Sequence, residues 1–173
     1  MNPNPGPPLR PTVFIALGAN LGDARDNILR ALARLQQLSA GPLLQSSLWQ
    51  STPVDCPPGS PLFVNAAAGL APRPQETPET LLARLQEIEK EFGRRPKTVF
   101  NEPRPLDLDL IAFGAQTRST KDLRLPHPRA HQRRFVLQPL AEIAPDLVLP
   151  GQTDSVVQLL GHLPPDPDFR RIQ

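Results

Sequence analysis

The stretch Arg104-Pro105-Leu106-Asp107-Leu108-Asp109-Leu110-Ile111-Ala112-Phe113-Gly114 alternates apolar and polar residues from Leu106 to Ile111. A period of two marks a strand. Residues i and i+2 of a strand share a face and lie roughly 6.5–7 Å apart along the chain. Asp107 and Asp109 therefore project together, while Leu106, Leu108 and Leu110 face the other way. Two carboxylates so placed repel unless a cation lies between them. Hard oxygen ligands suit Mg2+, which binds one or two carboxylates plus substrate phosphates. An isolated acidic pair is more often the solvated face of a half-exposed strand. Here Arg94, Arg95, Lys97 and Arg104 precede the pair, and His127, Arg129, Arg133 and Arg134 follow it.

Outward from this strand, the chain punctuates itself clearly. Residues 12–17 form a short apolar run that ends at Gly18 and reads as a buried strand. Asp23 is a candidate N-cap. Ile28, Ala31, Leu32, Leu35 and Leu38 follow helical spacing and predict an amphipathic helix over 24–39. Residues 43–50 read as a second strand, 51–61 as a long loop and 63–70 as a third strand. Thr77 is the N-cap of a second helix, Pro78 its first residue and Gly93 its stop. Leu81, Leu85, Ile88 and Phe92 make its buried stripe, and Gln86 and Glu89 share the flank of that stripe. A small hairpin is expected within 115–124, a short helix over 129–138 and another over 155–160. Strand–helix–strand–strand–helix–strand is the split βαβ order. The expected class is a ferredoxin-like α+β fold, a mainly antiparallel sheet with both helices packed on one face.

Composition narrows the function. With 173 residues the chain suits one domain with a proper core. The organisation expected is a flexible proline-rich tail over 1–11, a single domain over 12–163 and a C-terminal tail over 164–173. A net charge of +2 does not point to nucleic acid. One cysteine, Cys56, excludes an internal disulfide and fits a reducing compartment. There is no 18-residue apolar run for a membrane span and no signal-peptide pattern, so the cytoplasm is expected.

No G-x-x-x-x-G-K-[ST] loop is present, so a bound nucleotide must be held by metal and arginines. Arginine pairs bidentately with phosphate oxygens. Arg104 and Arg133 are the strongest candidates, whereas Arg124 and Arg129 read as solvated charge. Phe63, Asn65 and Phe135 could form an aromatic slot, with Asn65 reading a heterocycle edge through its donor and acceptor. Taken singly, the two phenylalanines fit a core and Asn65 a turn. Cys56, His131 and His162 read as bystanders.

At this point the residues resemble a family, 6-hydroxymethyl-7,8-dihydropterin pyrophosphokinase of folate biosynthesis. The resemblance runs from about Val13 to about Leu149. It rests on Ala16-Leu17-Gly18-Ala19-Asn20-Leu21-Gly22, Thr52-Pro53, Phe63-Val64-Asn65-Ala66-Ala67 and Gly93-Arg94. It also includes Pro103-Arg104-Pro105-Leu106-Asp107-Leu108-Asp109-Leu110, Leu125-Pro126-His127-Pro128 and the block from Arg133-Arg134-Phe135-Val136-Leu137 to Pro145. It implies a monomeric ferredoxin-like enzyme whose partners are ATP and a reduced pterin, with two Mg2+ ions. Asp107 and Asp109 match the metal carboxylates. Thr52, Pro53, Phe63, Asn65 and Phe135 match pterin positions. Gln86, Glu89, Arg104, His127 and Arg133 match positions around ATP, and Arg94 matches a mobile-loop arginine. Arg94 and Arg104 join the two carboxylates as the catalytic set. The chain departs from the family's pattern at Pro96, where a second arginine is common, at Phe100 and Asn101, where a tryptophan is common nearby, and at Pro128, where an aromatic often stands.

The resemblance implies in-line attack of the pterin hydroxyl on the β-phosphorus of ATP, with AMP leaving. The 94–104 stretch is expected to be mobile without ligand, with only Val99 or Phe100 as an apolar anchor, and to close over the phosphates. Two rival classes remain at this point: a nucleotidyltransferase with an acidic metal pair, and a non-enzymatic ferredoxin-like binding module.

Overall fold

The computed structural model describes residues 10–173. Most of the expected 1–11 tail lies outside the described residues. Eight strands and four helices follow: β1 (Val13–Ala19), α1 (Ala24–Leu38), β2 (Leu44–Gln45), β3 (Leu48–Ser51), β4 (Phe63–Leu70), α2 (Pro78–Glu91), β5 (Asp107–Phe113), β6 (Arg118–Ser119), β7 (Arg124–Leu125), α3 (Arg134–Ile143), α4 (Val156–His162) and β8 (Arg170–Ile172). A single 3-10 turn at Ala130–Gln132 precedes α3. The main sheet runs β5-β1-β4-β3-β8, with β2 also on β4, and its pairings are antiparallel. This is the ferredoxin-like α+β arrangement expected from the order of elements.

The helix ends form where the local chemistry places them. Asp23 accepts the Asp26 N–H at 3.0 Å and caps α1. Thr77 and Thr80 cap α2 reciprocally, with Pro78 in its first turn. The buried stripes of α1 (Ile28, Leu32, Leu35) and α2 (Leu81, Leu85, Ile88) pack on Ile15, Leu17, Ala66, Ala68, Leu108 and Leu110. Both lie on one face, as expected.

Three expectations need correction. The strand over 43–50 is split, because Ser46 Oγ takes the Ala67 N–H at 2.8 Å in place of a backbone carbonyl. The helix over 129–138 begins later and runs to Ile143, past Pro139, because its apolar stripe continues through Leu140. It joins α4 in covering Phe14, Ala16, Ala67, Ile111 and Ala112 on the second face of the sheet. The third correction concerns the C-terminal tail, whose Arg170–Ile172 pairs with β3. Without it, β3 would present an unpaired strand edge.

Candidate active site

Antiparallel partners share a face, and the register assembles one patch of the second sheet face. Asp107 lies opposite Gly18 and Asp109 opposite Ala16. Gly18 lies opposite Asn65, Asn65 opposite Trp49, and Phe63 opposite Ser51. The small residues Ala16 and Gly18 on central β1 thus form a low floor between the carboxylates of β5 and the Asn65 side of β4. Above this floor opens a cleft of about 800 Å³, part of it open to solvent, closed on one side by Arg133 and Phe135. A bulge in β5, between the Phe14 and Ile15 pairings, puts both Ile111 and Ala112 under α3 and α4. The Ile111 carbonyl accepts the His127 N–H at 2.9 Å.

The acidic end is crowded. Gly93, at φ +90°, ends α2 in a conformation that glycine adopts freely. The chain then turns back, and Arg94 Nη1 reaches Asp107 Oδ1 at 2.5 Å and Glu89 Oε1 at 3.2 Å. Glu89 also accepts the N–H of Leu108, the residue between the two aspartates, at 2.8 Å. Arg104 Nη1 lies 3.4 Å from Asp107 Oδ2. Burial pushes the Asp109 carboxyl up to about 7, helped by the charges of Asp107 and Glu89, against weaker pulls from Arg133 and Arg94. Burial likewise raises Glu89, opposed by its bond to the Leu108 N–H and by Arg94. The local cations therefore undercompensate Asp109 and Glu89, and a divalent cation beside the aspartate pair would supply the missing charge. The oxygen-only donor pair fits Mg2+.

The cationic and aromatic residues interleave. The Arg104 guanidinium lies 5.6 Å from the Phe63 ring centroid, and the Arg133 guanidinium 5.3 Å from that of Phe135. Arg104 Nε is buried without a partner among the described residues, a donor left over on a cleft-lining side chain. Burial lowers the His127 pKa, and Arg133 adds to this, so its imidazole is neutral near pH 7. Its Nδ1 accepts the Arg129 N–H at 3.2 Å, which leaves the proton on Nε2. Asn65 is buried, and its Nδ2 donates to Ser51 Oγ at 2.8 Å and to the Trp49 carbonyl at 3.3 Å. A carbonyl can only accept, so this pair fixes the amide orientation and leaves Oδ1 as the acceptor offered to a ligand.

Other expected residues stand further off. Thr52 lines the cleft, whereas Pro53, Gln86 and His127 do not; Gln86 is exposed on α2. Cys56, expected as a bystander, does line the cleft, half-buried with its thiol 3.2 Å from the Val54 carbonyl. Val99 and Phe100 are exposed and do not anchor their loop. Its anchors are polar: Arg94 on Asp107, and Asn101 Nδ2 on the Asp55 carbonyl at 2.9 Å.

One residue had no assigned role in the sequence. Asn20 is buried, and its Oδ1 accepts the Arg104 N–H at 2.9 Å while its own N–H donates to the Arg104 carbonyl at 3.1 Å. Its Nδ2 reaches the Pro61 carbonyl at 3.3 Å. Asn20 thereby clamps the base of the 94–104 loop. Its place in the Gly18–Gly22 turn was visible, but nothing local pointed to a partner 84 residues away.

Residues 14–145 match the family model described as 7,8-dihydro-6-hydroxymethylpterin-pyrophosphokinase (HPPK). A relative named 2-amino-4-hydroxy-6-hydroxymethyldihydropteridine pyrophosphokinase from Haemophilus influenzae is 39% identical over 155 residues, covering 87% of this chain and 94% of its own. A relative of the same name from Pseudomonas aeruginosa is 42% identical over 139 residues, covering 80% and 83%. Among solved structures, an HPPK-DHPS in complex with substrates superposes with a TM-score of 0.70 at 12% identity, over 95% of this chain. The chain spans about half of that longer protein (47%), and at this identity the likeness shows the fold alone.

Proposed function

The chain belongs to the 7,8-dihydro-6-hydroxymethylpterin-pyrophosphokinase family, and on that premise we propose how its cleft carries out the family's reaction. The enzyme is a diphosphotransferase of folate biosynthesis. It transfers pyrophosphate from ATP to 6-hydroxymethyl-7,8-dihydropterin, giving AMP and the pterin pyrophosphate. The nucleotidyltransferase and binding-module readings have no support among the relatives.

The observation that carries the site reading is the convergence of an acidic pair, arginines and an oriented Asn65 on one sheet face. We assign Asp107 and Asp109 to two Mg2+ ions, which when bound neutralise triphosphate charge and orient the displacement. Arg104 and Arg133 stabilise the phosphates, using the spare Arg104 Nε–H among their donors. The His127 Nε2–H is a further neutral donor beside them. Gln86 and Glu89, three residues apart on α2, are assigned to the nucleotide by their match to the family's positions. Glu89 also orients the Leu108 backbone between the two aspartates, while Gln86 lies outside the cleft lining. Phe63 and Phe135 sandwich the pterin, with Thr52 and Pro53 at its rim, and Asn65 Oδ1 accepts from its N–H edge. The hydroxymethyl oxygen then attacks the β-phosphorus in line, and AMP leaves. Catalysis is positioning and charge stabilisation.

We propose a single pyrophosphokinase domain that runs from residue 12 and, beyond the expected boundary at 163, takes in the C-terminal strand β8, acting as a monomer in the cytoplasm. No helix among the described residues is long and apolar enough to cross a membrane. The single cysteine supports a reducing compartment, and gel filtration tests the oligomeric state.

The deciding experiment is incubation with ATP, Mg2+ and the reduced pterin, followed by nucleotide analysis. Release of AMP is expected, and Asp107→Ala or Asp109→Ala nearly abolishes it while leaving the fold intact. Release of pyrophosphate, with AMP left on the acceptor, would indicate nucleotidyl transfer. Near-normal turnover in either variant would move the metal site elsewhere.

A further inference from the structure

We infer that the C-terminal segment 164–173 is a strap that positions the pterin end of the cleft, with Phe169 and Trp49 as its positioning residues. The inference rests on the reading of Asn65 as the pterin acceptor. Both partners that orient Asn65, the Trp49 carbonyl and Ser51 Oγ, belong to β3. That strand has only four residues, and β4 holds one of its sides. Its other side is held by β8, with Leu48 opposite Ile172, Trp49 opposite Arg171 and Gln50 opposite Arg170.

The side chains reinforce this pairing. The Phe169 ring stacks on Trp49, with centroids 5.3 Å apart and planes 11° from parallel. Trp49 Nε1 donates to Glu142 of α3 at 2.5 Å, and the other Glu142 oxygen accepts from Ser47 Oγ at 2.8 Å. The opposite wall of the slot is tied by the same segment. Arg134, between Arg133 and Phe135, donates through Nη2 to the Pro164 carbonyl at 2.8 Å. One short segment thus restrains both β3 and the start of α3, which carries Phe135. It lies beyond residues 14–145, the part matched by the family model. Of the groups assigned to the nucleotide, the carboxylate pair sits on β5, at the other edge of the sheet, with β1 and β4 between. Arg133, at the start of α3, lies beside the Arg134–Pro164 tie rather than in the Phe169–Trp49 stack. Loosening that stack should therefore weaken the pterin and spare the nucleotide.

Trp49 is the only tryptophan, so its emission reports the stack directly. The test compares wild type, Phe169→Ala, Phe169→Tyr and Asn65→Ala by calorimetry. Each is titrated with a non-hydrolysable ATP analogue plus Mg2+, and then with the pterin. An aromatic pair of this kind corresponds to a loss of about three- to tenfold in pterin affinity for Phe169→Ala. The expected result also includes unchanged analogue affinity, red-shifted Trp49 emission, and recovery of pterin affinity and emission in Phe169→Tyr. If Asn65→Ala loses pterin selectively but Phe169→Ala binds pterin normally, or loses both ligands equally, the strap inference is overturned and the slot reading stands. If Asn65→Ala shows no selective loss of pterin, the slot reading fails and the inference falls with it.

Discussion

Arg94 and Asp107 meet at 2.5 Å, so the first cation of the 94–104 loop sits on one of the two carboxylates assigned to Mg2+. Glu89 shares the same guanidinium nitrogen at 3.2 Å. Arg94 thus supplies part of the charge that a metal on this pair would supply. The expectation that the loop lacks an anchor missed this contact. On the proposed metal assignment, loading the site would displace Arg94 from Asp107 and free it for the phosphates.

Arg94→Ala should therefore act in opposite directions on binding and on turnover. Removing a half-buried cation beside Asp107 should tighten Mg2+ binding to the free protein by about three- to tenfold. Loss of a donor to the transferred group should slow turnover by about tenfold or more. Calorimetry with Mg2+ alone, set beside steady-state kinetics, separates the two effects. Unchanged Mg2+ affinity would mean that Arg94 and the metal do not compete for Asp107.

Asp109 makes the ligand-free protein sensitive to pH. Its folded pKa is raised to about 7, first by burial and then by Asp107 and Glu89. The folded state thus holds this proton where an unfolded carboxylate, with a pKa of about 3.9, has lost it. The resulting stability is fully present below about pH 4 and is lost as pH rises through about 7. His127 acts oppositely, because its lowered pKa removes stability as pH falls through the ordinary imidazole range. The clean readout is a difference: the gain in Tm of Asp109→Asn over wild type should be larger at pH 8 than at pH 5. Mg2+ should likewise raise the wild-type Tm more at pH 8, since it binds the ionised pair. Equal gains at both pH values would contradict the raised pKa.

Asn20→Ala should destabilise the fold by about 1–3 kcal/mol, because a partly buried Arg104 N–H loses its acceptor. It should also lower kcat, although Asn20 does not line the cleft. Urea melts and kinetics on the same preparation test this. A stability loss with kcat unchanged would confine Asn20 to a purely structural part.

Phe135→Ala should cost about 1–3 kcal/mol in pterin binding, a loss of stacking type. Nucleotide binding should change far less, even though the ring also lies under Arg133. Equal losses for both ligands would identify Phe135 as a core residue rather than a wall of the slot.

Periodicity and capping are local properties, and they made much of this protein legible. Alternation from Leu106 to Ile111 placed Asp107 and Asp109 on one face of a strand, and the register confirms it. The Asp23 and Thr77 caps started α1 and α2 where the side chains predict. Together these local signals specified the split βαβ order. The contacts between distant segments were decided only by the tertiary structure. Arg170-Arg171-Ile172 carries no strand signal; it becomes β8 because β3 offers an open edge with unpaired backbone groups. Asn20 reaches Arg104, and Trp49 meets Phe169, across long stretches of chain that no local period can register. The raised pKa of Asp109 is mixed in origin: its first cause, burial, is tertiary, its second is the charge of Asp107 on the same strand, and its third is Glu89 on another element. Sequence alone determined which residues could carry the chemistry. Packing decided which side chains meet, because the free energy of burying a charge or an edge depends on what the rest of the chain places beside it.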